Sequence, residues 1–149
     1  MFSRPKGGWV DITIGNYIIQ GSYLTDIPMN FLDSLICSLE NNTPVSIFID
    51  EEGVENIICA YYNEVFIIVK DGDNVEYKKV DIDFNKFRRN IINGIENYFD
   101  EWVNWNMCDN NKILKNRKIE LEEKINKAKE LLKDMRWVNN CTILVCSVE

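Results

Sequence analysis

The chain has 149 residues, of which 46% are hydrophobic, so it can bury a core and is not a disordered tail. Its net charge of −7 is concentrated before residue 111, and the remaining segment is net positive. An acidic body repels phosphates, which disfavours direct nucleic-acid binding and favours a basic protein surface as partner.

Several kinds of site are disfavoured by what the sequence lacks. It contains no histidine, which removes the commonest general base and every Ser-His or Cys-His nucleophile arrangement. The five cysteines are odd in number and form no CxxC, so neither a disulfide scaffold nor a zinc ribbon is indicated. No segment resembles a signal peptide or reaches the roughly 18 apolar residues of a membrane span. We therefore expect a cytoplasmic protein that has no cofactor and is not an enzyme.

The first third of the chain predicts a β-hairpin and a helix. The runs Trp9 to Ile14 and Tyr17 to Leu24 flank a Gly-Asn dipeptide, which is typical of two strands joined by a tight turn. TDIP then supplies a helix start with proline in the first turn. Apolar residues follow at helical spacing and predict a helix from Ile27 to Glu40.

Four further runs predict an antiparallel meander, because they are rich in β-branched and aromatic residues and are separated by short polar turns. They are Val45 to Ile49, Val54 to Tyr62, Val65 to Val69 and Val75 to Ile82. The third run, VFIIV, is apolar at both parities, which favours a strand that is covered on both faces.

The rest of the chain predicts two helices and a strand. Apolar residues recur at helical spacing from Phe84 to Val103, which indicates one core helix that Asp83 can cap. A third helix is predicted over Lys112 to Arg136, and its short, narrow apolar stripe favours docking on a surface over a coiled coil. That stripe consists of Leu121, Ile125, Ala128, Leu132 and Met135. Cys141 to Val148 has the pattern of a final buried strand.

The predicted order β-β-α-β-β-β-β-α-α-β indicates an α+β fold with a mainly antiparallel sheet and helices packed on it. Residues 1–149 are expected to form a single domain. Residues 112–149 could form a helix-strand extension of that domain, because the stretch from Asp109 to Lys112 is the one candidate boundary.

The turn sequence DEEGVE is the first candidate site. Gly53 suits a positive-φ turn position, and acids keep a turn solvated. Flanking strands exclude a helix-loop-helix calcium site, and a convex turn disfavours a catalytic carboxylate pair. Because alternate turns of a meander lie at one end, DEEG and KDGD should sit together and form an acidic rim for partner contact. The acidic rim consists of Asp50, Glu51, Glu52, Glu55, Asp71 and Asp73.

Trp105, near the end of the predicted core helix, is the second candidate. A partly exposed tryptophan beside acidic residues is typical of an interface hot spot. Alternatively, Trp105 closes the bottom of the sheet as part of the core. Both interpretations are compatible with its place at the edge of the apolar face.

The stretch from Trp9 to Asn106 resembles small acidic immunity proteins of bacterial polymorphic toxin and contact-dependent inhibition systems. The resemblance lies in DITIGNYIIQGSYLTD, a short helix, VSIFIDEEGVE and a helix ending in DEWVNW. It implies a stoichiometric inhibitor that binds a cognate toxin domain and has no catalytic activity. Many such toxins are basic nucleases, which an acidic rim would suit.

The leading hypothesis is therefore a non-catalytic immunity protein, a monomer or weak homodimer, whose acidic rim and Trp105 bind a toxin domain. The alternative is an intracellular protein-binding adaptor or regulatory module, which could be dimeric through the third helix. A carboxylate-metal enzyme is the remaining hypothesis, and it rests on acids with no specific metal-binding motif.

Overall fold

The computed structural model describes residues 1–105 and 110–142, with side chains described up to residue 133. Strands β1 (Trp9–Ile14) and β2 (Tyr17–Ser22) form an antiparallel hairpin, and helix α1 (Ile27–Asn41) follows. The meander consists of β3 (Val45–Asp50), β4 (Val54–Tyr61), β5 (Glu64–Asp71) and β6 (Asn74–Val80). Helices α2 (Phe84–Glu96), α3 (Phe99–Val103) and α4 (Asn111–Thr142) complete the described part.

The predicted α+β fold is confirmed, with one refinement in how the strands are grouped. The described strands form two antiparallel sheets, a two-stranded β1-β2 sheet and a four-stranded β3-β4-β5-β6 sheet, and not one continuous sheet. The hairpin turn nevertheless lies close to β6, since a Cβ added at Gly15 would lie 2.5 Å from Cγ1 of Val80. Gly15 has φ +58°, so both its backbone conformation and this close approach favour glycine.

The four-stranded sheet has one buried side, which we call the inner face, and an opposite side, which we call the outer face. Ile47, Ile58 and Ile67 are neighbours across three strands on the inner face, and each is almost fully buried. Helix α1 packs against β3 on one side and α4 on the other. Successive side chains of each strand point to opposite faces, so every second residue reaches this core.

The prediction that Val65–Val69 is covered on both faces is wrong for the described residues. Val65 and Ile67 are buried on the inner face, whereas Phe66 and Ile68 remain partly exposed on the outer face. Apolar residues at both parities are typical of a doubly covered strand, but here the second set forms part of a surface.

The predicted core helix from Phe84 to Val103 is interrupted, and α2 and α3 are separate. The prediction was right about the start, since the Asp83 carboxylate accepts a hydrogen bond from the Lys86 amide at 2.6 Å. The break at Asn97 and Tyr98 lets Trp102 fold back on α2, where its indole N–H donates to the Gly94 carbonyl at 3.4 Å. Because this break is set by packing and leaves the apolar periodicity of the sequence unchanged, the periodicity predicted one helix where there are two.

The predicted docking of the third helix is confirmed. Leu121, Ile125 and Ala128 are buried where α4 packs along α1. Arg117 fixes the start of α4, because its guanidinium binds both carboxylate oxygens of Asp26 at 2.6 and 2.8 Å and donates to the Trp102 carbonyl at 3.2 Å. Such a two-pronged contact sets geometry as well as attraction.

The C-terminal prediction is partly wrong. Helix α4 continues to Thr142, so Cys141 and Thr142 are helical and do not begin a strand. The rest of the predicted strand, residues 143–148, lies outside the described residues, and Met135 of the predicted stripe has no described side chain.

Candidate protein-binding site

The two acidic turns lie together at one end of the four-stranded sheet, as predicted. Val54 pairs with Asp71 across β4 and β5, which places the β3-β4 turn beside the β5-β6 turn. All six residues of the acidic rim are therefore neighbours, but their surroundings divide them into two groups.

Glu51 and Asp50 have structural contacts. The Glu51 carboxylate accepts hydrogen bonds from the Gln20 backbone N–H at 3.2 Å and from the Asn56 side chain at 3.0 Å. Asn56 is buried on the inner face, so Glu51 satisfies an amide that water does not reach and also joins β2 to the meander. Asp50 is half-buried and accepts from the Gly53 N–H at 3.4 Å.

Glu55 is compensated by a cation on the neighbouring strand. It lies opposite Lys70 in the β4-β5 register, and the Lys70 ammonium is 3.2 Å from the Glu55 carboxylate. Both side chains are substantially exposed, so the pair contributes little stability. It does neutralise the middle of the acidic rim on the outer face.

Glu52, Asp71 and Asp73 are exposed and form no ion pair with any described residue. We call these three residues the free acids. Glu52 has φ +54° and Gly72 has φ +56°, so both turns use left-handed backbone to reverse the chain tightly. Glu52 and Asp73 lie in the two adjoining turns, and Asp71 is the last residue of β5 beside them.

Trp105 is buried. This corrects the expectation that it is partly exposed and available as an interface hot spot. Only 3% of it is exposed, and its indole N–H donates to the Thr25 carbonyl at 2.9 Å. Its ring packs edge-on against Trp102 at 5.1 Å between centroids. Trp105 therefore belongs to the core, the alternative already open from the sequence.

Part of the positive charge of α4 is used within the helical layer. Lys124 binds Asp33, Lys127 binds Glu40 and Lys129 binds Glu96, each across to another helix. With the Arg117 contact to Asp26, four cations of α4 offset four acids of the body. Among the exposed acids that form no ion pair with a described residue, the free acids lie together at the turn end of the sheet, whereas Asp11, Asp81, Asp83 and Asp100 lie elsewhere on the body.

Neither a metal-binding cluster nor a membrane-spanning helix occurs in the part of the chain that the structure describes. No group of three or more Cys, Asp or Glu side chains among residues 1–105 and 110–133 is arranged to hold a metal ion. None of the helices described is both long and apolar enough to cross a membrane. No protein-family model, curated protein or solved structure matches the chain.

Sequence reasoning missed the exposed aromatic residues on the outer face. Phe48 and Tyr77 are 47% and 75% exposed at the two margins of the sheet, and half-buried apolar residues lie between them. The sequence signal was present in VFIIV, where Phe66 and Ile68 are apolar as well as the inner residues. That pattern led to the prediction that the outer face is covered, whereas it is a surface.

Proposed function

We propose that the chain is a non-catalytic immunity-type inhibitor that binds and neutralises a basic toxin domain in the bacterial cytoplasm. The observation that carries the proposal is the uncompensated negative charge of the free acids Glu52, Asp71 and Asp73 at one end of the sheet. The resemblance of residues 9–106 to acidic immunity proteins supports the same reading.

The charge arrangement suits a steering role. Four cations of α4 offset acids of the helical layer, whereas the three free acids at the turn end of the sheet keep their charge. Complementary charge raises association rates by roughly 10- to 1,000-fold at low salt, and it guides a partner to the correct face. An inhibitor that must capture a toxin before it acts benefits most from the association rate.

The adaptor hypothesis with dimerisation through the third helix is less well supported. Leu121 is buried against the body of the same chain, and Leu132 is partly buried there. A dimer that used this stripe would first have to separate α4 from α1.

Neutralisation is the direct test. The tagged chain is purified from the organism that encodes it, and the isolated domain of any stoichiometric partner is then expressed in a bacterial host with and without the chain. We expect growth arrest by the domain alone and normal growth with both. A partner domain that is harmless, or whose toxicity the chain does not relieve, would refute the proposal.

The free acids are tested by charge reversal with a matched control. The variant Glu52→Lys, Asp71→Lys, Asp73→Lys should associate with the partner domain about tenfold more slowly at low salt and lose most of its salt dependence. The control reverses Glu122, Glu123 and Glu130, three exposed acids of α4, and has the same net charge. Equal rates for the two variants would mean that net charge acts alone and that the turns have no special role.

A further inference from the structure

A row of apolar side chains crosses all four strands on the outer face. Phe48 lies opposite Ile57, Ile57 opposite Ile68, and Ile68 opposite Tyr77. The central isoleucines are half-buried, whereas the aromatic residues at the margins are largely exposed. Cross-strand neighbours on one face contact each other, so this row is a continuous apolar strip.

Further apolar and aromatic side chains extend this strip in both directions. Cys59 pairs with Phe66 in the next row, and Val75 is exposed on β6. At the far end, the Tyr62 ring lies 4.0 Å from that of Tyr61 and is 79% exposed. Tyr62 also has φ +49°, a conformation that is uncommon for a bulky residue. Exposed Tyr and Phe at this density are typical of the buried centre of protein interfaces.

The dimensions of the outer face suit a macromolecular contact. Four strands about 4.8 Å apart, with about 3.3 Å per residue over six residues, give an area of roughly 400 Å². A standard interface buries about 800 Å² on each partner, so the sheet face would supply about half and the adjoining turns the remainder. A single contiguous patch of this size on a monomer is often functional.

The charges around this face favour one class of occupant. The lysines near it are already engaged, Lys70 with Glu55 and Lys79 with Glu64, and Lys79 also lies over the Phe66 ring. The border at the turn end carries Asp50 and, in the two turns, Glu52 and Asp73, whereas Asp71 lies at the same end with the parity of the inner face. A second copy of this chain would bring acid against acid, and a nucleic acid would bring phosphate against acid, whereas a basic protein domain would be attracted.

We propose that the outer face of the four-stranded sheet is the docking surface for a basic protein domain. Phe48, Ile57, Ile68 and Tyr77 form its desolvated centre, and the acids of the two adjoining turns form its charged border. This inference rests on the proposed function and assigns the surface by which it acts. The free acids guide the approach, and the aromatic row supplies most of the affinity, as expected for a centre of aromatic hot spots within a polar rim.

Site-specific photocrosslinking tests the location. The full-length chain carries p-benzoylphenylalanine in place of Tyr77 and is irradiated in cells of the organism that encodes it. The control carries the same probe in place of Tyr23, an exposed tyrosine outside the four-stranded sheet. We expect an adduct with a basic domain from position 77 and none from position 23. An adduct with a second copy, an adduct within the same chain, equal adducts from both positions, or no adduct would overturn the proposal.

Matched alanine variants test the energetics on the crosslinked domain after its isolation. Phe48→Ala with Tyr77→Ala should weaken binding about 10- to 100-fold, and Tyr23→Ala should change it less than threefold. Full affinity in the double variant would remove the outer face from the mechanism.

The two proposals can fail separately. If the chain relieves toxicity while the double variant binds normally, the function stands and the docking surface is wrong. If the crosslinked domain is basic and needs the aromatic row but is harmless, the docking surface stands and the immunity function is wrong.

Discussion

Ile67 and Ile68 are consecutive residues of β5 with opposite surroundings. Ile67 is fully buried on the inner face beside Ile58, whereas Ile68 lies on the outer face in a row that solvent reaches. Because strand side chains alternate, one apolar run contributes to two surfaces. The comparison shows that apolar residues on both parities do not by themselves distinguish a covered strand from a strand that presents a binding face.

The largest expected effect on stability comes from substituting Ile67 and Ile68 separately. Ile67→Ala should lower the free energy of unfolding by about 2–4 kcal/mol, because it leaves a cavity in the core. Ile68→Ala should cost less than about 1.5 kcal/mol, since solvent already contacts that side chain. Urea denaturation of both variants measures the difference, and an unchanged m-value would show that the denatured states are comparable. Equal losses would indicate that the outer face is covered in solution.

The meander could be predicted from the sequence because its information is local. Alternating β-branched residues and turns such as Gly72-Asp73 determine strands and reversals within a few positions, so the strand ends agree within about two residues. The same locality brought the two acidic turns together correctly.

The features that sequence reasoning missed or left open depend on distant contacts. Trp105 is buried and donates a hydrogen bond to the carbonyl of Thr25, 80 positions earlier, and the Glu51 carboxylate accepts one from the N–H of Gln20, 31 positions earlier. The break between α2 and α3 depends on Trp102 reaching Gly94, where the absence of a Cβ also admits the Phe2 ring. No local periodicity encodes which acid of DEEGVE turns inward and which remains at the tip.

The two consecutive acids of that turn give the second prediction, of intermediate size. Glu51→Ala should lower the free energy of unfolding by about 1–3 kcal/mol, because the buried Asn56 amide loses its acceptor. Glu52→Ala should change it by less than about 0.5 kcal/mol, since Glu52 is exposed and unpaired with any described residue. Thermal unfolding at equal salt compares them. If Glu52→Ala were the more destabilising change, the division of the acidic rim into structural and free acids would be wrong.

The smallest stability effect is expected on the outer face, at the Lys70 pair with Glu55. Lys70→Met should change the free energy of unfolding by less than about 1 kcal/mol, because exposed ion pairs contribute little. Lys70→Met should, however, favour binding, since removal of the cation leaves Glu55 uncompensated beside the free acids. We expect association with the basic partner domain to become a few-fold faster at low salt, with a steeper salt dependence.

Lys115→Met is the matched control for this prediction, because Lys115 is an exposed lysine of α4 and the substitution changes the net charge equally. Stopped-flow association at several salt concentrations compares the two variants. A faster rate for Lys70→Met alone would locate the steering field at the border of the outer face. Equal acceleration by both variants would assign the effect to total charge, and the inner and outer faces would then differ only in stability.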